Sequence, residues 1–95
     1  MNKLTSEDIT IKLEDLVGWS LVDNAIEKTF GFTDFKETFA TMVRIAFECE
    51  AQNHHPNWSN VYNSLKIRLN THDAGGVTEK DFTLARIIED VIRSQ

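Results

Sequence analysis

All three histidines of this 95-residue chain fall in two short segments, His54-His55-Pro56-Asn57-Trp58 and Thr71-His72-Asp73. Imidazole is the side chain that can both give and take a proton near neutral pH. Gathering every copy into one neighbourhood points to a proton-transfer site. Glu50, Asp73 and Asp81 lie close in sequence, and a carboxylate beside an imidazole sets its tautomer. A lone histidine would read as a structural residue bonded to backbone at a strand end. Three that converge beside carboxylates point to general acid–base work.

Other chemistries fit less well. Three imidazoles could bind zinc with an open fourth position, but no HxxxH pair exists and no cysteine is near in sequence. The one thiol, Cys49, sits in a helical apolar pattern and reads as a small buried hydrophobe. No serine occupies a Gly-x-Ser-x-Gly turn. Gly75-Gly76 has no phosphate-loop pattern around it and reads as a turn.

The elements that must position the histidines follow from periodicity. Residues 5–17 read as a helix, with Thr5 or Ser6 as cap, Glu7 and Asp8 in the first turn, Ile9, Leu13, Leu16 and Val17 on one face, and Gly18 as the stop. Trp19 to Phe32 reads as a hairpin turning at Asp23-Asn24. Residues 34–51 form the clearest helix, with Phe35, Phe39, Met42, Val43 and Ala46 as a continuous apolar stripe, widened by Ile45, Phe47 and Cys49. That is more apolar width than one sheet face requires. The helix is either deeply buried or partly covered by another subunit, and taken alone the sequence favours core. Trp58 to Tyr62 and Leu65 to Thr71 read as a second hairpin around Asn63-Ser64. Thr78 to Arg93 reads as the last helix, opened by the capping box Thr78-Glu79-Lys80-Asp81, with Leu84, Ile87, Ile88 and Val91 turned inward.

The order α-β-β-α-β-β-α predicts an α+β two-layer sandwich: a four-stranded antiparallel sheet with three helices packed on one face. If the second hairpin turns at Asn63-Ser64, paired residue numbers sum to about 126 or 127, and His72 faces position 54 or 55. Pro56 holds the preceding histidines extended, so His54 and His55 point opposite ways and play different parts.

The chain is long enough for one domain, residues 1–95, and not two. Hydrophobic residues make up 41% and charged residues 26%, an ordinary globular balance. The formal net charge of −5 argues against a nucleic-acid partner, which needs a basic face. No segment approaches the ~20 apolar residues of a membrane helix, and Met1 to Asp8 does not read as a signal peptide. A single cysteine excludes an internal disulfide framework, and the expected location is the cytoplasm.

Two separated motifs, Glu50-x-x-x-His54-His55-Pro56-x-Trp58-x-x-Val61-Tyr62-Asn63 and Thr71-His72-Asp73-x-Gly75-Gly76-Val77-Thr78-x-x-Asp81 with Leu84-Ala85, resemble the pterin-4a-carbinolamine dehydratases. Gly18-Trp19 and Phe30-x-Phe32-x-x-Phe35 extend the resemblance over nearly the whole chain. It implies a hydro-lyase that removes water from a 4a-hydroxytetrahydropterin to give the quinonoid dihydropterin, in tetrahydrobiopterin recycling, with no metal or organic cofactor. By position, His54, His55 and His72 are the catalytic trio. His54 and His72 would be the acid–base pair, and His55 would hold and polarise the substrate. Glu50 would orient an imidazole or bond the pterin. Pro56 and the Thr71–Ala74 segment, including Asp73, would edge the pocket. Trp58 would pack beside the site or in the sheet core, and Asp81 would cap the last helix, support His72, or both. Position 53 is Asn here where animal members often carry an acid, so Glu50 gains weight. The family usually forms homodimers or homotetramers, pairing sheets edge to edge and packing central helices together. Some animal members also serve as dimerisation cofactors for a transcription factor, so the competing reading is a non-catalytic binding module on the same fold.

Overall fold

The computed structural model describes residues 2–95. Its elements run α1 (Ser6–Leu13), β1 (Ser20–Val22), β2 (Ala25–Gly31), α2 (Phe35–Gln52), β3 (Asn57–Val61), β4 (Ser64–Leu69) and α3 (Glu79–Arg93), with a short 3-10 turn, His72–Ala74, before α3. The sheet is antiparallel in the order β1-β2-β4-β3. This is the expected α-β-β-α-β-β-α sandwich. Ile9 of α1, Ile45 of α2 and Phe82, Leu84 and Ile88 of α3 bury against Ile26, Phe30, Leu65, Ile67 and Leu69 of the sheet in one core. The opposite sheet face is wet and carries Glu27 ion-paired with Arg68 and Lys66.

Helix α1 starts where its cap dictates: the Thr5 hydroxyl accepts from the Asp8 N–H at 3.1 Å. It stops at Leu13, short of Gly18. The next residues turn more tightly, with Glu14, Asp15 and Leu16 N–H groups donating three residues back. That turn swings Leu16 into the core at 5% exposure and leaves Val17, expected on the inward stripe, 85% exposed. The chain then passes Gly18 at φ +88°, where a Cβ would meet the Lys28 side chain at 2.8 Å. Lys28 points inward from β2, and its ammonium meets the Glu89 carboxylate at 2.7 Å and the Val17 carbonyl at 2.9 Å. Trp19 Nε1 donates to the same Glu89 oxygen at 2.8 Å.

The first hairpin turns at Asp23-Asn24, both in the left-handed region that such two-residue turns need. The second turns at Tyr62-Asn63, one residue earlier than expected. Paired numbers in β3 and β4 sum to 125, as in Asn57↔Arg68 and Trp58↔Ile67. The alternation of both strands demands an odd sum, since a one-residue slip would set Trp58 opposite a charged residue. Asn60 chooses between the odd registers, its Nδ2 donating to the Tyr62 and Ser64 carbonyls at 3.0 Å each. The ladder also ends sooner, at Leu69, so His72 does not reach the other histidines by strand pairing.

The inward face of α2 departs most from expectation. Thr38, Thr41, Ile45 and Cys49 are buried, whereas Phe35, Phe39, Val43 and Phe47 are 48%, 53%, 42% and 72% exposed. Ala46 is exposed too, and of the expected stripe only Met42 packs against the core. The threonines can be buried because their hydroxyls donate to their own helix carbonyls. Thr38 reaches Asp34 O and Thr41 reaches Glu37 O, both at 2.8 Å. A satisfied hydroxyl removes most of the penalty that hydropathy assigns to burying it.

Cys49 is buried as the sequence implied, and its thiol is pushed up from 9.0 to about 11 by that burial, with the Glu48 and Glu50 carboxylates adding. Native Cys49 should therefore resist iodoacetamide at pH 8, while the urea-unfolded chain reacts. The unfolded thiol ionises near 9.0 and the folded one near 11. The folded state then holds the extra proton, and stability falls as pH rises through that window. Cys49→Ala should flatten that part of the urea midpoint against pH. An unchanged slope would show that the thiol is not its source.

Candidate functional site

The site begins where α2 ends. Asn53 adopts the left-handed conformation (φ 51°, ψ 45°). The Asn53 N–H donates to Glu50 O at 3.1 Å and the His54 N–H to Cys49 O at 3.0 Å, the bond pair of a Schellman ending. Asn tolerates this conformation better than other non-glycine residues, which accounts for its use here on backbone grounds. His54, His55 and Pro56 then form an extended connector to β3, and the two imidazoles leave it in opposite directions. His54 turns inward and is 8% exposed. His55 turns outward, and its side chain is 58% exposed.

Each of these histidines meets a carboxylate. His54 Nε2 lies 2.5 Å from Asp81 Oδ1, and His55 Nε2 lies 2.5 Å from Glu50 Oε2. Asp81 is fully buried. Its other oxygen accepts from the Thr78 N–H at 2.8 Å, closing the α3 capping box, and from the Thr71 hydroxyl at 2.9 Å. Since Thr71 gives its proton to Asp81, the Thr78 hydroxyl must donate across the 2.7 Å Thr71–Thr78 contact. A carboxylate accepts only, so His54 Nε2 is the donor to Asp81 and Nδ1 is the ring's free nitrogen. Asp81 therefore caps α3 as expected but supports His54, not His72. The reason is its place in the first turn of α3, directly against the α2–β3 connector.

His72 arrives by a different route. Beyond β4, Thr71 bridges Gly76, and the 3-10 turn between them closes on Gly75 at φ +75°. The turn holds the His72 backbone, while its ring makes no hydrogen bond among the described residues. All three imidazoles line one cavity of about 400 Å³, within the range of small-molecule sites. Pro56, Thr71 and Asp73, named from the sequence, line it too. Glu50 stands behind His55. Trp58 lies on the inward sheet face against the core, and neither it nor Ala74 lines the cavity.

Sequence reasoning missed Asn57, Asn70 and Lys80, which share the lining with Asn53. The asparagines were legible only as neighbours of Pro56 and Thr71. Lys80 carried a signal that went unused, a cation in a helix first turn where the dipole favours anions. The lining thus combines three proton-transfer groups with carboxamides that can both donate and accept, suited to a flat heterocycle bearing amide-like edges. A larger groove of about 590 Å³ between α2 and α3, walled by Phe47, Ile87 and Val91, holds no imidazole. Among the described residues, no group of three or more His, Cys, Asp or Glu side chains is arranged to hold a metal ion.

Comparison with known proteins agrees over nearly the full length. Residues 2–91 match the family described as pterin 4 alpha carbinolamine dehydratase. A protein of Christiangramia forsetii, provisionally named a pterin-4-alpha-carbinolamine dehydratase, is 58% identical over 94 residues, covering 99% of this chain and 97% of its own. A protein of Opitutus terrae with the same provisional name is 53% identical over 89 residues, covering 93% and 92%. The crystal structure of a Brucella melitensis protein described as a transcriptional coactivator/pterin dehydratase superposes with a TM-score of 0.91 at 39% identity, covering 95% of this chain and 98% of that one.

The buried carboxylate gives a direct test. Asp81→Ala should strand three donors and lower unfolding stability by about 3–5 kcal/mol in urea titrations, the scale for removing one partner of a buried pair. Thr71→Val removes one neutral donor and should cost about 1 kcal/mol. An Asp81→Ala protein unfolding at the wild-type midpoint would show that the carboxylate does not tie these segments.

Proposed function

Since the chain belongs to the pterin 4 alpha carbinolamine dehydratase family, we propose that it dehydrates 4a-hydroxytetrahydropterins to quinonoid dihydropterins in the cytoplasm, as a step of tetrahydrobiopterin recycling. The observation that carries this reading is the convergence of His54, His55 and His72 on one cavity, with His54 backed by a buried carboxylate. The reaction breaks the C4a–O bond and removes one ring N–H proton. Hydroxide is a poor leaving group, so an acid protonates the 4a-oxygen and water departs. A base takes the ring proton, and the two proton transfers leave the enzyme's proton count unchanged.

The roles follow from how each imidazole is held. His54 keeps its Nε2 proton on Asp81 and exchanges the substrate proton at Nδ1. The buried Asp81 carboxylate fixes the ring's orientation and that tautomer. His72, whose ring has no hydrogen-bond partner among the described residues, acts as the second member of the pair. His55 is held by exposed Glu50 and serves to bind and polarise the substrate. Acid–base groups of this kind each contribute typically ~10²- to 10⁴-fold.

A second role for α2 is favoured by four large exposed apolar side chains, Phe35, Phe39, Val43 and Phe47, which recur every fourth residue along one stripe. A stripe of that kind on a small domain fits burial against further copies of the chain, as a homodimer or homotetramer. A binding module without catalysis would use the same stripe and leave the imidazoles idle.

Steady-state dehydration of a 4a-carbinolamine separates the readings. Wild type should exceed the spontaneous rate, and His54→Ala and His72→Ala should each lose roughly 10²-fold or more of that excess. No acceleration by wild type, or full activity in the double variant, would leave only the binding module. In sedimentation experiments, Phe39→Asp with Phe47→Asp should convert an oligomer into a folded monomer. Wild type that already sediments as a monomer would sink the oligomer proposal.

A further inference from the structure

The turn that carries His72 is held from outside as well as from within. The Thr71–Gly76 bridge closes its base, with the Thr71 N–H donating to Gly76 O at 2.8 Å. Inside it, the Gly75 N–H reaches the Thr71 and His72 carbonyls at 3.1 and 3.0 Å. These bonds fix the shape of the turn. They do not fix its tilt about the bridge. The His72 ring, with no hydrogen bond of its own among the described residues, follows that tilt.

The first hairpin supplies the missing restraint. Asn24 Nδ2 donates to the Gly75 carbonyl at 2.7 Å, across 51 positions of sequence. The same carboxamide lies against Gly76, where an added Cβ would meet Asn24 Oδ1 at 3.0 Å and the Lys3 side chain at 3.1 Å. The Asp23-Asn24 turn itself does not need this group. It needs left-handed backbone at both positions (φ 46° and 67°), which glycine supplies at the second as readily as asparagine. Water competes for an exposed bond, so this one adds little to global stability. Its effect is on direction. From this clamp we infer that Asn24 is a positioning residue for His72. It stands outside the cavity lining and acts through the Gly75 carbonyl to hold the imidazole toward the substrate. This inference rests on the dehydratase reading and adds to it a residue on a hairpin that the cavity does not include.

Two substitutions test it. Asn24→Gly keeps the turn and removes the carboxamide. Asn24→Asp keeps the shape but sets an acceptor against the Gly75 carbonyl. Both urea midpoints should stay close to wild type. In steady-state dehydration of a 4a-carbinolamine, each variant should lower kcat about tenfold, the upper scale for one hydrogen bond governing a held and a swung turn. KM should move far less, because His72 transfers a proton rather than binding substrate. In a His72→Ala background the same substitutions should leave the remaining rate unchanged, since no ring is left to place. In NMR spectra of the histidine rings, the His72 signals should shift or broaden in both variants while those of His54 stay. Wild-type kcat in both variants, a kcat loss that persists in His72→Ala, or unmoved His72 signals would overturn this inference while leaving the dehydratase reading intact. Wild type that gives no acceleration over the spontaneous reaction would overturn both.

Discussion

One buried carboxylate holds this molecule's site and part of its fold at the same time. Asp81 receives donors from three segments: His54 from the α2–β3 connector, Thr71 from the turn after β4, and Thr78 from the start of α3. Bringing an anion out of water costs several kcal/mol, and only a full set of partners offsets it. Here the set is complete, with no buried side-chain nitrogen or oxygen left unpartnered among the described residues. The helix N-terminus adds a favourable field. Each segment is thereby fixed relative to the others through one charge. The cavity between them keeps its shape because displacing any wall would strand that charge.

Around this centre the chain divides its labour between rigid and adaptable parts. His54 is nearly inaccessible and bonded to an interior group. The His55–Glu50 pair stands in solvent, where such a contact is weak and easily exchanged. His72 rides on a 3-10 turn pinned at both ends by the Thr71–Gly76 bridge. The three imidazoles thus share one cavity while differing in hydration and freedom, which suits them to different tasks in a reaction that needs an acid, a base and a grip on the substrate.

Much of this was legible because it depends on local chemistry. Asp23-Asn24 announces its turn, Thr78 with Asp81 announces its cap, and the periodicity of β4 and α3 announces which faces are dry. The histidine cluster was visible as composition alone. What stayed hidden depends on partners distant in the chain. The face α2 buries was obscured because Thr38 and Thr41 look polar until their hydroxyls are seen to close on helix carbonyls. The second hairpin shifted because Asn60 fastens a turn that Asn63-Ser64 would otherwise claim. The tight turn after α1, which expels Val17, exists so that Leu16 and Trp19 can both reach the core. Asp81 stands much nearer His72 than His54 along the chain, and only packing shows that His54 is its partner.

The dual duty of Asp81 has a consequence for reading relatives of this chain. A residue that closes a helix and anchors a strand end is retained for folding whether or not any chemistry survives. A lineage that abandoned catalysis and kept only its surface contacts would shed its imidazoles first and this aspartate last. Its presence in a homologue therefore testifies to a shared architecture, while the ring nitrogens around it report whether that homologue still works as an enzyme.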